Sequence, residues 1–278
     1  MAVRGMNVTT AMRSSGDTTL SYGAADLDGR VRDYWNVQLH DANVSQSPPG
    51  SQQFFGDLEA YRYHKLDYLP RVMDFAAYAG RDVLEIGCGI GLDLARFAGA
   101  GGRAVGVDVS ATAIGLARRR LEYDSASATL LVGNGAKLPF PDESFDLVYC
   151  HGVLPYVADP EAIIQESYRV LRTGGEAVFM AYHRRSWLNA LSRLGGVRLA
   201  HADAPVLRTT TRNGMRNSLR TFQSCRIMTE RFPVPTRMHG GWKATAFNNV
   251  LVPLWRLIPE AMVRPFGWHL LAFCRRLA

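Results

Sequence analysis

A short apolar segment that runs directly into three alternating glycines is the feature that most constrains this chain. The segment reads DVLEIGCGIGLDLARFA and spans residues 82–98. Its first five residues are typical of a strand buried on both faces, and apolar residues recur at helical spacing after the glycines. The glycines are Gly87, Gly89 and Gly91. A strand, a glycine turn and a helix N-terminus form a cradle for a polar ligand, because unpaired N–H groups and the helix dipole point into the turn.

Strand-like and helix-like segments continue to alternate after this turn. The further predicted strands are 103–110, 129–134, 144–153, 176–183, 224–232 and 267–276. The helical segments are 111–123, 159–172 and 209–222. Such alternation predicts an α/β fold, with a Rossmann-like, mostly parallel sheet covered by helices on both faces.

Polar residues follow several of these strands at the edge where open α/β sheets bind ligands. Asp108, Asn134 and His151 are expected there, beside the glycine turn. A dinucleotide-binding turn needs a third small residue, but Leu92 stands at that position. Asp108 could hold ribose hydroxyls in either class of nucleotide cofactor, so it does not discriminate between them.

Several classes of protein are disfavoured by composition. No apolar stretch approaches the length of about 18 residues needed to span a membrane, and the N-terminus lacks the apolar core of a signal peptide. A cytoplasmic protein is therefore expected. Cys88, Cys150, Cys225 and Cys274 lie far apart without metal-ligand spacing, which argues against a disulfide framework and against a metal site. We expect all four to be reduced and mostly buried.

Positive charge is concentrated in the last third of the chain. Residues 181–278 contain 16 Lys and Arg but only 3 Asp and Glu. Residues 1–180 also contain 16 Lys and Arg, but they contain 22 Asp and Glu. Nearly all of these cations are arginines, which suit planar anions such as carboxylates and phosphates. A solvated basic face is the alternative interpretation.

Four motifs together resemble the class I S-adenosylmethionine-dependent methyltransferases. They read VLEIGCGIG, VGVDVS, LPFPDESFDLV and RVLRTGG and lie in order within residues 82–180. The subgroup they are most similar to contains small-molecule methyltransferases like those of quinone biosynthesis. The resemblance implies a seven-stranded sheet with its last strand antiparallel. It also implies a helical N-terminal cap at 1–80 and a methyltransferase domain at 81–278, with lid insertions at about 184–210 and 233–266.

The same resemblance assigns the cofactor-binding residues. Glu85 and the glycines would hold the methionine end of S-adenosylmethionine, Asp108 would accept both ribose hydroxyls, and Val109 would pack on the adenine. Asn134 stands near where the family commonly has an acid, and its amide oxygen can still accept from the adenine amine. The full predicted set is Glu85, Gly87, Cys88, Gly89, Gly91, Asp108, Val109, Asn134, Gly135, Ala136 and His151.

Catalytic residues are harder to assign, because methyl transfer is an in-line displacement that mainly requires alignment of the reactants. His151 is the first candidate for a general base, since an unperturbed histidine titrates near neutrality. A histidine that only hydrogen-bonds the lid is the alternative. Tyr182 and His239 are further candidates, and His239 with Lys243 could hold an anionic group.

The expected function is methyl transfer to O, N or C of a small metabolite that is anionic or aromatic. A peptide or protein methyltransferase acting on carboxylates is one alternative. A non-enzymatic module that binds nucleic acid or a membrane surface is a weaker one, supported by the arginines and by Trp242, Trp255 and Trp268. We expect a small-molecule acceptor as partner, no nucleic acid and no membrane span, while the oligomeric state stays open.

Overall fold

A computed structural model describes residues 24–195, 199–236 and 241–277. The strands are β1 (Asp82–Ile86), β2 (Arg103–Asp108), β3 (Ala128–Val132), β4 (Phe145–Cys150), β5 (Leu171–Tyr182), β6 (Ser224–Glu230) and β7 (His269–Arg275). The α-helices that precede β6 are α1 (Ala24–Val37), α2 (Gln52–Lys65), α3 (Leu69–Val72), α4 (Leu92–Gly99), α5 (Ala111–Tyr123), α6 (Pro160–Val170), α7 (Trp187–Gly195) and α8 (Arg212–Ser218). Three short helices follow, α9 (Trp242–Ala246), α10 (Val252–Leu257) and α11 (Glu260–Val263), and a π-helical segment, Phe247–Leu251, joins the first two.

All seven strands form one sheet in the order β3-β2-β1-β4-β5-β7-β6. The strands β1 to β5 pair in parallel, and β7 runs antiparallel to both β5 and β6. The Rossmann-like architecture and the antiparallel last strand predicted from the sequence are therefore confirmed. Strand order reverses between β1 and β4, which is where open α/β sheets bind ligands.

Side chains alternate along the central strands, so the sheet carries one apolar cluster on each face. On one face, Leu84 and Val148 pack with Ile163 of α6. On the other, the adjacent Val83 and Leu147 pack in a cluster with α3, α4 and α5. Burial on both faces explains why these strands read as continuous apolar runs.

Polar caps explain where the helices begin. The hydroxyl of Ser110 accepts the N–H of Ala113 at the start of α5, and the carboxylate of Asp159 accepts that of Ala162 at the start of α6. Thr211 caps α8 in the same way by accepting from Gly214. Helix α8 therefore starts at Arg212, later than the predicted segment 209–222.

The N-terminal helices pack onto the turn that follows β1. Phe54, Phe55 and Leu58 of α2 form a small buried cluster with Ile90 and Leu92. Leu92 thus serves as a packing residue for α2. The division into a cap at 1–80 and a domain at 81–278 stays a prediction.

The prediction that all four cysteines are reduced is wrong for one pair. Cys225 and Cys274 lie opposite each other in the β6–β7 register with Cα atoms 4.1 Å apart, and they form a disulfide. They are 49 residues apart in sequence, so spacing gave no signal of the pairing. Cys88 and Cys150 are free and buried, as predicted.

Among the described residues, we find no helix with the length and apolar character needed to cross a membrane.

Candidate active site

The loop after β1 adopts a conformation that favours glycine. Gly87 has φ 71° and Gly91 has φ 80°, both in the left-handed region. A Cβ atom on Gly87 would lie 2.1 Å from Cγ2 of Val153, so the loop after β4 approaches this backbone too closely for any side chain. Gly91 is the residue preceding α4, so the turn leads directly into a helix N-terminus.

A glycine that the motif reasoning missed allows α4 to approach the sheet. A Cβ on Gly106 of β2 would lie 2.6 Å from Cδ2 of Leu94 and 2.9 Å from Sγ of Cys88. In dinucleotide-binding folds, a third small residue in the turn lets the helix pack closely on the strand. Here the glycine of β2, Gly106, allows the same close packing.

Asp108 lies at the end of β2 beside this loop. One carboxylate oxygen accepts the N–H of Gly89 and the other that of Ser110, each at 2.8 Å. Burial raises its pKa, although hydrogen bonds from backbone N–H groups oppose the shift. Val109, the next residue, lines the same cavity.

Glu85 of β1 is only 4% exposed, and its Oε2 has no hydrogen-bond partner among the described residues. Burial, followed by the charge of nearby Asp93, raises the pKa of Glu85 well above its usual range. A buried carboxylate oxygen without a partner is costly, and a cationic group of a ligand would both satisfy it and restore its charge.

The turn after β3 forms the opposite end of the cradle. Oδ1 of Asn134 accepts the N–H of Ala136 at 2.9 Å, and its Nδ2 donates to Asp28 of α1 at 3.2 Å. The amide oxygen thus holds the turn and keeps one lone pair for a ligand. A Cβ on Gly135 would lie 2.5 Å from Cγ2 of Ile86, so this turn also requires close approach.

S-adenosylmethionine fits this set of residues. Glu85 offers an unsatisfied acceptor for the amino group of the methionine end, Asp108 offers carboxylate oxygens for the ribose, and Asn134 offers an acceptor for the adenine amine. The predicted cofactor residues Glu85, Gly87, Cys88, Gly89, Asp108, Val109, Asn134, Gly135, Ala136 and His151 all line one cavity of about 260 Å³. Gly91 is absent from this lining and contributes the turn into α4.

The same cavity continues past the cradle into a polar region that the sequence did not predict. Arg62 of α2 holds Asp93 through two hydrogen bonds, one of them 2.9 Å long from Nε to Oδ1. The hydroxyls of Tyr63 and Tyr149 also donate to Asp93, each at 3.0 Å. Burial alone would raise the pKa of Asp93, but the charge and hydrogen bonds of Arg62 outweigh it and lower the pKa.

A second buried ion pair lies nearby, between Lys65 and Asp41. Burial lowers the pKa of Lys65 to about 8, against the opposing effect of Asp41. The pKa of Asp41 is lowered, because His40 and Lys65 together outweigh the effect of burial. Both carboxylates in this part of the cavity are therefore ionised at neutral pH.

A chain of hydrogen bonds joins His151 to Arg231. The Tyr68 hydroxyl lies 3.0 Å from Nε2 of His151 and 2.6 Å from Nδ1 of His269, and a guanidinium nitrogen of Arg231 lies 3.1 Å from Nε2 of His269. Burial and then Arg231 lower the pKa of His269 well below its usual range, so this ring is neutral.

Arg231 sets the direction of the chain, because guanidinium groups only donate. Nε2 of His269 therefore accepts and its Nδ1–H donates to the Tyr68 hydroxyl, which also contacts Nε2 of His151.

His151 lies where the sequence places it, at the carboxyl end of β4 and in the cavity. Its ring stacks on Tyr149 at 5.8 Å, and Nδ1 is 3.5 Å from a guanidinium nitrogen of Arg62. Burial, followed by the charge of Arg62, lowers the pKa of His151 to about 3. A ring of such low basicity accepts hydrogen bonds but is a weak proton acceptor, so its role as a general base stays a prediction.

The two further catalytic candidates have different outcomes. Tyr182 lines the cavity, with its hydroxyl 3.1 Å from that of Tyr156 and its ring stacked on Trp268. His239 lies outside the described residues. Its proposed partner Lys243 is exposed on α9 beside Trp242 and is not among the residues that line the cavity, so the binding of an anionic group by this pair stays a prediction.

Topology could have located some of the missed residues. Arg231 directly follows β6, and His269 begins the antiparallel β7, so both lie at the carboxyl edge of the parallel strands. His64 of α2 contacts the backbone oxygen of Pro235 and does not line the cavity.

The sheet order, the glycine cradle and the acidic residue at the end of β2 define a Rossmann-like cofactor-binding class. Residues 84–179 match the family model described as a methyltransferase domain. The resemblance to S-adenosylmethionine-dependent methyltransferases that the sequence motifs indicated is therefore confirmed over this segment.

Several known proteins are similar to the chain. It is 32% identical over 127 residues to a ubiquinone biosynthesis O-methyltransferase of Aromatoleum aromaticum. This match covers 43% of this chain and 50% of the relative. It is 36% identical over 105 residues to a demethylmenaquinone methyltransferase of Symbiobacterium thermophilum, covering 36% of this chain and 41% of the relative. The chain thus spans half or less of the length of these relatives.

A solved structure extends the similarity across the fold. Magnesium protoporphyrin IX methyltransferase from Synechocystis, crystallised with S-adenosylmethionine, superposes with a TM-score of 0.58 at 15% identity. The match covers 92% of this chain and all of that one. At this level of identity, the shared feature is the fold.

Proposed function

We propose that this protein transfers the methyl group of S-adenosylmethionine to O, N or C of a small aromatic or anionic metabolite. The observation that carries the proposal is the continuity of the cavity. A single cavity is lined by the predicted cofactor residues, among them Glu85 and Asp108, and also by Tyr182 and Arg231. A cofactor in the cradle and an acceptor in the inner region would therefore share one cavity.

The bound cofactor supplies an electrophilic methyl group on a sulfonium. The protein's own contribution is to align the acceptor, which can account for a large part of the barrier reduction. Trp35, Tyr156 and Tyr182 give this part of the cavity aromatic walls. Arg62 is fixed by Asp93, and the buried Tyr68 hydroxyl links His151 to His269, so the polar groups that line the cavity are held in place.

His151 is proposed as the group that receives a proton, where the acceptor loses one. The charge of Arg62 contributes to its low pKa. An anionic acceptor would offset that charge and raise the pKa of His151 toward a useful range. Proton transfer and acceptor binding would then be coupled.

The contribution of helix α1 to the cavity wall favours a small acceptor over a polypeptide. Helix α1 contributes Asp28, Val31 and Trp35 to the cavity wall, so the space is covered from the N-terminal side. The weaker non-enzymatic alternative loses part of its support, because Trp268 is 2% exposed and cannot form a surface with the exposed Trp242. Quinone precursors, the kind of acceptor suggested by the names of the two relatives, are natural first compounds to test.

The test is to incubate the protein with methyl-labelled S-adenosylmethionine and a metabolite extract, and then to separate small molecules from protein. We expect label in the small-molecule fraction and none with Asp108→Ala. Label only in the protein fraction would favour the polypeptide alternative, and no transfer to any fraction would contradict the proposal.

A further inference from the structure

The inner part of the cavity holds one cationic side chain that has no carboxylate ion-pair partner among the described residues. Three cationic side chains line it: Arg62, Lys65 and Arg231. Asp93 pairs with Arg62, and Asp41 pairs with Lys65. Within the described ranges, no carboxylate lies within 4.0 Å of the Arg231 side chain. The remaining lining carboxylates are Asp28, Glu85, Asp108 and Asp159.

The backbone of Arg231 is held firmly in an unusual conformation. Its φ of 62° lies in the left-handed region, which is uncommon for residues other than glycine. Its carbonyl oxygen accepts the indole N–H of Trp187 at 2.9 Å and the backbone N–H of Trp268 at 3.2 Å. Strained backbone of this kind persists where the surrounding structure fixes it, and it is concentrated at functional sites.

The guanidinium of Arg231 is positioned but not saturated. One of its five N–H groups points at Nε2 of His269, the only side-chain acceptor that it contacts among the described residues. Planar guanidinium groups bind carboxylate and phosphate oxygens through paired hydrogen bonds. The free donors of Arg231 therefore match one anionic group.

We propose that Arg231 binds an acidic group, a carboxylate or a phosphate, of the methyl acceptor. This inference rests on the proposed function, since it defines how the acceptor lies in the cavity. Arg231 follows β6, whereas the glycine cradle follows β1, four positions away in the sheet order. The acidic group would thus be anchored on the β6 side, and the nucleophilic atom would face the cradle.

Arg231 belongs to the arginine-rich last third of the chain, whose cations the sequence analysis matched to planar anions. Of the arginines in residues 181–278, it is the one described member that lines the cavity. The excess charge on the other arginines of this region is then not needed for binding the acceptor.

The test uses benzoate and phenyl phosphate as anionic probes and benzamide as the neutral probe of similar shape. Affinity is measured by calorimetry, with and without saturating S-adenosylhomocysteine. We expect each anion to bind at least about tenfold more tightly than benzamide. Arg231→Gln should remove this preference while changing the affinities for benzamide and S-adenosylhomocysteine less than about twofold.

Two matched variants serve as controls, one that keeps the charge at position 231 and one that removes an arginine elsewhere. Arg231→Lys keeps the charge, so it should retain part of the anion preference and show that the left-handed backbone tolerates a substitution. Arg256→Gln removes an exposed arginine of α10 that does not line the cavity, and it should change nothing.

An anion preference that is absent from the parent, or that survives Arg231→Gln, would overturn the inference. Failure of the proposed function is distinguishable, because it would appear as no binding of S-adenosylhomocysteine while the anion preference at Arg231 persists.

Discussion

The carboxylate of Asp108 joins the end of β2 to the glycine loop, since its Oδ2 lies 2.8 Å from the amide nitrogen of Gly89. The other oxygen holds the N–H of Ser110, which begins the turn into α5. The residue expected to bind the cofactor ribose thus also shapes the loop that receives the rest of the cofactor.

Asp108→Ala should therefore remove most cofactor affinity. The variant loses a charged acceptor for the ribose, and hydrogen bonds to charged groups contribute about 1.5 to 3 kcal/mol each. Calorimetric titration with S-adenosylhomocysteine measures the loss. Affinity equal to that of the parent would show that Asp108 does not contact the ligand.

Gly87→Ala and Gly89→Ala form a matched pair, because both glycines have positive φ. A Cβ at Gly87 would meet Val153, whereas a Cβ at Gly89 would meet nothing within 4 Å. Backbone strain should cost each variant about 1 to 2 kcal/mol of unfolding free energy, and the clash should cost Gly87→Ala about 1 to 3 kcal/mol more. Chemical denaturation measures both.

Adding Val153→Ala to Gly87→Ala removes the clashing Cγ2 atom and provides the control. The double variant should recover part of the unfolding free energy lost by Gly87→Ala. Equal losses in the two single glycine variants, with no recovery, would contradict the close approach of the β4 loop.

Asp93→Asn should strongly destabilise the protein. Asp93 is 2% exposed, holds Arg62 and accepts from two tyrosine hydroxyls, so the substitution leaves a buried guanidinium without its counter-ion. Breaking buried pairs of this kind costs about 3 to 5 kcal/mol. Adding Arg62→Met should restore part of the unfolding free energy. If the double variant is no more stable than Asp93→Asn, the two residues are not coupled.

Histidine titration should make stability depend on pH. The pKa of His151 is about 3 in the folded protein and 6.5 when unperturbed. Between these values the unfolded chain binds a proton that the folded one does not, so the free energy of unfolding decreases as pH falls. For His151 alone, the loss between pH 7 and pH 5 is about 2 kcal/mol.

Urea denaturation of His151→Gln across this range isolates the contribution of one ring. The slope of unfolding free energy against pH should decrease by up to about 1.4 kcal/mol per unit. His64→Gln, at a histidine outside the cavity, serves as the matched control. An unchanged slope in His151→Gln would mean that the ring is accessible to protons in the folded state.

The fold and the cofactor cradle could be predicted from sequence because their signals are local. The run from Asp82 to Leu92 contains the strand, the turn and the start of the helix, and Asp108 follows one strand later. The inner cavity could not be predicted, since Arg62, Tyr68, Arg231 and His269 come from four separate segments. Their proximity depends on strand order and on the packing of α2 and α3, which no short motif encodes.

The disulfide shows the same limit. Cys225 and Cys274 meet because two antiparallel strands pair in one particular register. A shift of one residue would place the two side chains on opposite faces of the sheet. Sequence spacing does not determine the register, and the pairing was missed.

The most direct measurement of the central claim, that the cavity is built for S-adenosylmethionine, is a calorimetric comparison of S-adenosylhomocysteine with NAD. Leu92 occupies the position where a dinucleotide turn needs a small residue, and it packs against α2 in the fold. The buried carboxylate of Glu85 lacks a partner that an amino acid moiety would supply. We expect S-adenosylhomocysteine to bind with micromolar affinity and NAD to give no measurable heat. Tight binding of NAD without binding of S-adenosylhomocysteine would contradict the assignment.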